Sequence, residues 1–245
     1  MQSGLRVGLR SGLLAGLNAR FVPRTADEFA AALPAVTAPD GLWIFDEATG
    51  DFLDRIGAVD LTPSGTPVRR VASDGHIAVQ LDNGDAAAAG STSDLNITTG
   101  DMSLLLVAYV PTPTVNRGLL GKRASNAAGY QIFLSSSNGV ASFPVEDTAA
   151  ASESPGATPA YDRWLTGIAS WDRTADSLYW EIGGVSDTHD TSSLGSVTNT
   201  ATFSIGAGDH FGAGVDDGTL IGVLAFWDGY ALDATERQIL RDFFA

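Results

Sequence analysis

The 245-residue sequence contains no cysteine. Disulfides and thiolate metal sites are therefore excluded, stability has to come from packing, and a small disulfide-stapled secreted module is disfavoured. Lysine is nearly missing as well: Lys122 stands alone, and Lys and Arg together number 14 against 29 Asp and Glu, a net charge of −15. A surface of that sign repels nucleic acid and anionic membranes. The first residues show no apolar core followed by a small-residue cleavage site, and no apolar run reaches the length of a membrane helix. Nucleotide and hydrolase motifs are absent. Gly118-Leu119-Leu120-Gly121-Lys122 is too short for a phosphate loop and is followed by Arg123 rather than Ser or Thr, and neither Gly-x-Ser-x-Gly nor His-Glu-x-x-His occurs.

With 44% hydrophobic residues, the chain can fill the core of one all-β domain of about 200 residues. Its organising stretch is residues 161–184, which carry three of the five tryptophans. Residues 164–171 read as a strand, 172–176 as a turn and 177–182 as a second strand stopped by Gly183-Gly184. Leu178, Trp180 and Ile182 share one face and Tyr179 and Glu181 the other, so Trp180 is assigned to the core. The continuous apolar run 104–110 predicts a strand buried on both faces, closed by Pro111 and Pro113.

Before any acidic residue, positions 4–19 repeat Gly-Leu every four residues, interspersed with Arg6 and Arg10. A helix with four glycines would lose roughly 1 kcal/mol at each, so an extended arm is favoured. Burying the leucines returns roughly 6 to 12 kcal/mol, whereas fixing the backbone costs on the order of 16 to 32. The arm therefore needs a partner surface or a sheet edge, on its own domain or on a neighbouring subunit or another protein, and Leu5, Arg6, Leu9, Arg10, Leu13 and Leu17 are its candidate partner-binding residues. Thr25 and Glu28 form a capping box for a short helix ending near Leu33, followed by Pro34 and Pro39. The organisation expected is residues 1–24 as the arm, 25–40 as helix and linker, and 41–245 as the folded domain.

Acidic groups recur without a catalytic spacing. Asp46, Glu47, Asp51 and Asp54 fall in a turn-rich stretch where solvated acids are common. Asn83-Gly84 is the strongest hairpin signal in the chain and predicts a turn rather than a calcium loop at 82–85. Asp187, Thr188, His189 and Asp190 are metal-like by composition, but adjacent residues on a strand point to opposite faces and cannot all converge on one ion unless the segment is a loop. Residues 146–159, rich in Ala, Ser, Thr and Pro, read as an exposed loop.

Several segments together resemble laminin-G-like and pentraxin-like domains: the 161–184 hairpin, the aromatic strand and Gly turn of 41–57, the 119–123 and 129–134 strand pair, 203–206, 220–227, and the closing helix from Asp233. The resemblance spans roughly 41–244. It implies a concanavalin A-like jelly-roll sandwich of two antiparallel sheets, here with short helices near both ends. Departures include Leu165-Thr166 where the resemblance would place two histidines, and an acidic pair displaced to Asp216-Asp217. Some relatives of this fold are glucanases, but their Glu-x-Asp-x-x-Glu strand does not occur here, so no catalytic residue and no enzymatic activity is expected.

Two functional expectations follow. The arm favours a non-enzymatic virion or assembly structural protein, such as a phage capsid decoration or tail-associated subunit. It would sit on a particle surface against neighbouring subunits, as a homo-oligomer. The alternative, implied by the fold resemblance, is a carbohydrate-binding module or lectin recognising surface glycans through Asp209, His210, Phe211, Asp216 and Asp217. No cofactor or metal site is assigned, with calcium the one ion the acidic loops leave open.

Overall fold

The computed structural model describes residues 26–71, 77–91, 93–98, 100–123, 128–206 and 214–244. The arm residues Leu5, Arg6, Leu9, Arg10, Leu13 and Leu17, the cap residue Thr25, and Asp209, His210 and Phe211 lie outside these. The chain runs through α1 (Ala26–Ala32), β1 (Gly41–Trp43), β2 (Leu61–Ser64), β3 (Val68–Val71), β4 (Ile77–Leu81), β5 (Ala86–Ala89) and β6 (Met102–Val110). Next come β7 (Arg117–Arg123), β8 (Gly129–Leu134), β9 (Ala141–Ser142), β10 (Val145–Glu146), β11 (Ser152–Glu153) and β12 (Gly156–Ala157). The last elements are β13 (Arg163–Asp172), β14 (Ser177–Ile182), β15 (Val185–Asp190), β16 (Ser204–Ile205), β17 (Thr219–Asp228) and α2 (Ala234–Phe244).

The strands form two antiparallel sheets. The first is ordered β15-β14-β13-β6-β17-β4-β3, with β1 also on β17; the second is ordered β11-β10-β8-β7-β16-β5-β2, with β9 on β8 and β12 on β9. This is the expected all-β jelly-roll sandwich. Between the sheets lies the main core, where Trp43, Trp171, Trp180, Tyr130, Phe143, Phe203 and Phe226 are fully buried.

A second apolar layer covers the outer face of the first sheet. Phe29 and Leu33 from α1 and its exit, and Leu232, Leu240 and Phe244 from the C-terminal segment, pack on Leu105, Val107, Ile168, Val223 and Trp227. This is why β6 is apolar without alternation: Leu104, Leu106 and Ala108 face the main core while Leu105 and Val107 face the helices. Glu236 ties the layer together. Its carboxylate accepts the Asp233 N–H at 3.1 Å while Asp233 accepts the Thr235 and Glu236 N–H groups, which is a capping box. Glu236 also accepts the Thr37 N–H at 2.7 Å, and the Thr37 carbonyl accepts the Trp227 indole N–H at 2.7 Å.

The 163–182 hairpin forms as expected, with Asp172 opposite Ser177. Gly183-Gly184 stops β14 at Ile182, as expected. Both glycines have positive φ (60° and 82°), the geometry of a tight two-residue turn, and the chain reverses into β15. Asn83-Gly84 does form a turn, with Gly84 at φ 99°. The strands it joins, however, belong to different sheets: β4 pairs with β3 and β17, and β5 with β2 and β16. The buried Asp85 carboxylate steers this corner, accepting the N–H groups of Thr66 at 2.7 Å and Asp82 at 3.1 Å. The 146–159 stretch is not simply an exposed loop. It folds into β10–β12 around buried Asp147, which accepts N–H groups from Ala149, Ala151 and Gly195.

Candidate functional site

The acidic clusters singled out in the sequence are built into the frame. Asp54 accepts the N–H groups of Leu42, Ile56, Gly57 and Val59, closing its loop on itself. Asp46 and Glu47 both bind Arg55. On β15, Asp187 and His189 share one face as strand alternation requires. His189 Nδ1 lies 2.8 Å from Glu153 of the second sheet and Nε2 3.2 Å from Asp187, which also accepts the Gly156 N–H at 3.0 Å. That N–H is the main influence holding the Asp187 carboxyl below its ordinary range, against partial burial and with help from Thr188 N–H and His189. The trio clips the two sheets together at one side. Among the described residues, no group of three or more His, Cys, Asp or Glu side chains could hold a metal.

Of the five loop residues assigned to glycan contact, the two that are described hold neighbouring loops. Asp216 accepts hydrogen bonds from Thr114 N and Oγ1 and pairs with Arg117 at 3.3 Å, and Asp217 accepts the Asn83 N–H at 2.8 Å. The single lysine is also internal. Lys122 is fully buried and its Nζ donates to the Ala201 carbonyl; burial lowers its pKa, and Asp94 opposes that shift.

The tryptophans separate into two kinds. Trp43, Trp171, Trp180 and Trp227 are fully buried, and their indole N–H groups donate to Val59 O, Thr191 Oγ1, Ala141 O and Thr37 O at 2.7–3.0 Å. Trp164 instead is half-buried on the outer face of the first sheet, edge-on to half-buried Tyr109 with ring centroids 6.4 Å apart. Its ring lies across β17 at Gly222. That glycine is the extra residue of a β-bulge, and a Cβ there would stand 3.1 Å from Trp164 Cζ3.

Strand register extends this pair into a row. Trp164 is opposite Tyr109, Tyr109 opposite Leu220, Leu220 opposite Gln80, and Gln80 opposite Val68. Four interstrand spacings make the row roughly 19 Å long. Leu220 and Gln80 are half-buried and Val68 is 46% exposed. Trp164 packs against the second apolar layer, and the C-terminal turn of α2 ends over Thr166, whose Oγ1 donates to Phe244 O at 3.1 Å, two residues along β13. At the far end, Gln80 Nε2 donates to both Asp82 oxygens at 2.7 and 2.9 Å.

No family model and no curated protein sequence matches the chain. Solved structures do. The binding domain of botulinum neurotoxin DC in complex with SialylT aligns over 84% of this chain and 52% of its own, at TM-score 0.66 and 11% identity. The serotype D binding domain aligns over 86% of this chain and 52% of its own, at 0.67 and 9%, and the serotype G binding domain over 84% and 50%, at 0.65 and 10%. The likeness is one of fold. It supports the β-sandwich jelly roll, and the chain spans about half the length of the neurotoxin chains it matches. The sequence reading missed the row, because Trp164 looks like any strand-opening aromatic. Gly222 inside the apolar run 220–227 was the available signal, since glycine within a strand marks a bulge or a close approach.

Proposed function

We propose that this domain is a non-enzymatic glycan-binding module, and that the Trp164–Tyr109 row is its contact surface. The observation that carries this reading is the position of Trp164. It is the one tryptophan that is not fully buried, lying on a glycine bulge beside a second aromatic on the outer face of the first sheet. Aromatic faces with nearby hydrogen-bonding groups suit the apolar faces and hydroxyls of sugars. The binding and receptor-binding roles printed for the structural neighbours point the same way.

The test is a glycan array followed by fluorescence titration of the wild type and Trp164→Ala. Stacking that buries about 60 Å² of apolar sugar surface contributes about 1.5 kcal/mol, so the substitution should weaken binding roughly tenfold. Unchanged affinity in a folded variant would sink the proposal. Assembly through residues 1–24 is a separate proposal, resting on the repeat alone. Light scattering of the full chain against one lacking those residues tests it, and the same number of subunits per particle for the two would remove it.

A further inference from the structure

We infer that the row selects neutral, hydroxyl-rich glycans and rejects sialylated ones, an inference that rests on the glycan-binding reading above. The polar end of the row is rich in acceptors. Gln80 donates its Nε2 hydrogens to the Asp82 carboxylate, and the opposite amide orientation would set its oxygen against that carboxylate, so the pairing fixes Gln80 Oε1 as the group left for a ligand. Asp82 is itself oriented by the Gly218 N–H at 2.8 Å, which leaves a carboxylate at this end held by the frame. Acceptors in this arrangement pair with the hydroxyl donors of an uncharged sugar.

A sialic acid offers a carboxylate, which has no donor to give. An anion about 6 Å from Asp82 at an effective dielectric of about 40 is disfavoured roughly tenfold. The net charge of −15 adds a long-range penalty on approach that salt screens. The aromatic end supplies affinity and the Gln80–Asp82 end supplies the choice.

The experiment titrates the full chain with a neutral galactose-terminated oligosaccharide and with the same oligosaccharide capped by sialic acid. Wild type, Gln80→Leu and Gln80→Lys are compared after a thermal melt shows each is folded. The expected result is a preference of about tenfold for the neutral form in the wild type. Gln80→Leu should weaken the neutral ligand several-fold, and Gln80→Lys, which neutralises Asp82, should remove most of the preference. Equal or tighter binding of the sialylated form by the wild type would overturn the inference while leaving glycan binding intact. So would an unchanged preference in Gln80→Lys. If the wild type binds neither form nor any other glycan of the array, the glycan-binding reading falls and this inference with it.

Discussion

Replacing Asp147 with asparagine should destabilise the domain far more than its place in an Ala- and Ser-rich stretch suggests. One carboxylate oxygen accepts Ala149 N–H at 2.8 Å and Ala151 N–H at 2.9 Å, and the other accepts Gly195 N–H at 2.7 Å, in a side chain that is 3% exposed. An asparagine can keep the first pair only by turning its amide nitrogen toward the Gly195 N–H, donor against donor. The loss of one charge-assisted bond, together with a buried donor left unpaired, amounts to about 3 to 5 kcal/mol. At roughly 2 to 4 °C per kcal/mol for a domain of this size, Tm should fall by roughly 6 to 20 °C at pH 7. Differential scanning calorimetry reads this directly, and pH supplies an internal control. Burial alone would raise the Asp147 pKa, but the three N–H groups and Arg173 outweigh it and hold the carboxyl below its ordinary 3.8. Because the folded-state pKa is depressed, the stabilisation is full above the unfolded value and is lost as pH falls through the folded one. The gap between wild type and variant should therefore narrow below about pH 3.8. A shift under 3 °C, or a gap that ignores pH, would refute the role given to Asp147.

Three further outcomes follow from other contacts. Arg241→Met strips the cation from the buried Glu181 carboxylate, to which Arg241 Nη1 donates at 2.8 Å, and should cost about 3 kcal/mol; urea denaturation measures it, and a double-mutant cycle with Glu181→Gln should recover most of the loss. Gly65→Ala would put a Cβ 2.3 Å from the Asp85 carboxylate at φ 79°, displacing the acceptor of Thr66 and Asp82, with an expected cost of about 2 to 4 kcal/mol in the same assay. Burial pushes the Glu236 pKa up, but the Thr37 and Asp233 N–H groups and the Tyr230 hydroxyl hold it below its ordinary 4.5, so its contribution is lost as pH falls through that depressed value. Amide exchange at Thr37 should accelerate below about pH 4 ahead of the β13–β14 amides, and simultaneous exposure of both would contradict this order.

Local patterns were legible where one physical cause dominated. The alternation of Leu178, Trp180 and Ile182 reports a strand with one core face, and the unbroken run in β6 reports two apolar neighbours, both recovered in the packing. Asn83-Gly84 misleads because a turn sequence specifies backbone dihedrals and not the sheet that the next strand joins; Asp85, through its bonds to Thr66 and Asp82, directs the corner. Residues 146–159 look like a loop because small residues carry little hydrophobic signal, while their order comes from one buried carboxylate gathering backbone N–H groups. The candidate site was the least visible part. Trp164 and Trp180 lie in the same hairpin and are indistinguishable by type, and what separates them is the sheet face each takes, Trp180 the core between the sheets and Trp164 the outer face.

The helical layer on the outer face also determines how the domain responds to tension. Thr37 and Glu236 share a hydrogen bond across the outer face, so a pull applied between residues 26 and 244 loads this clasp before it loads the strand pairs behind it. Releasing residues 26–40 would lengthen the chain by up to about 50 Å while the two sheets stay closed on each other. The outer layer then acts as a mechanical fuse, yielding first and leaving the Trp164 row mounted on an undamaged sandwich.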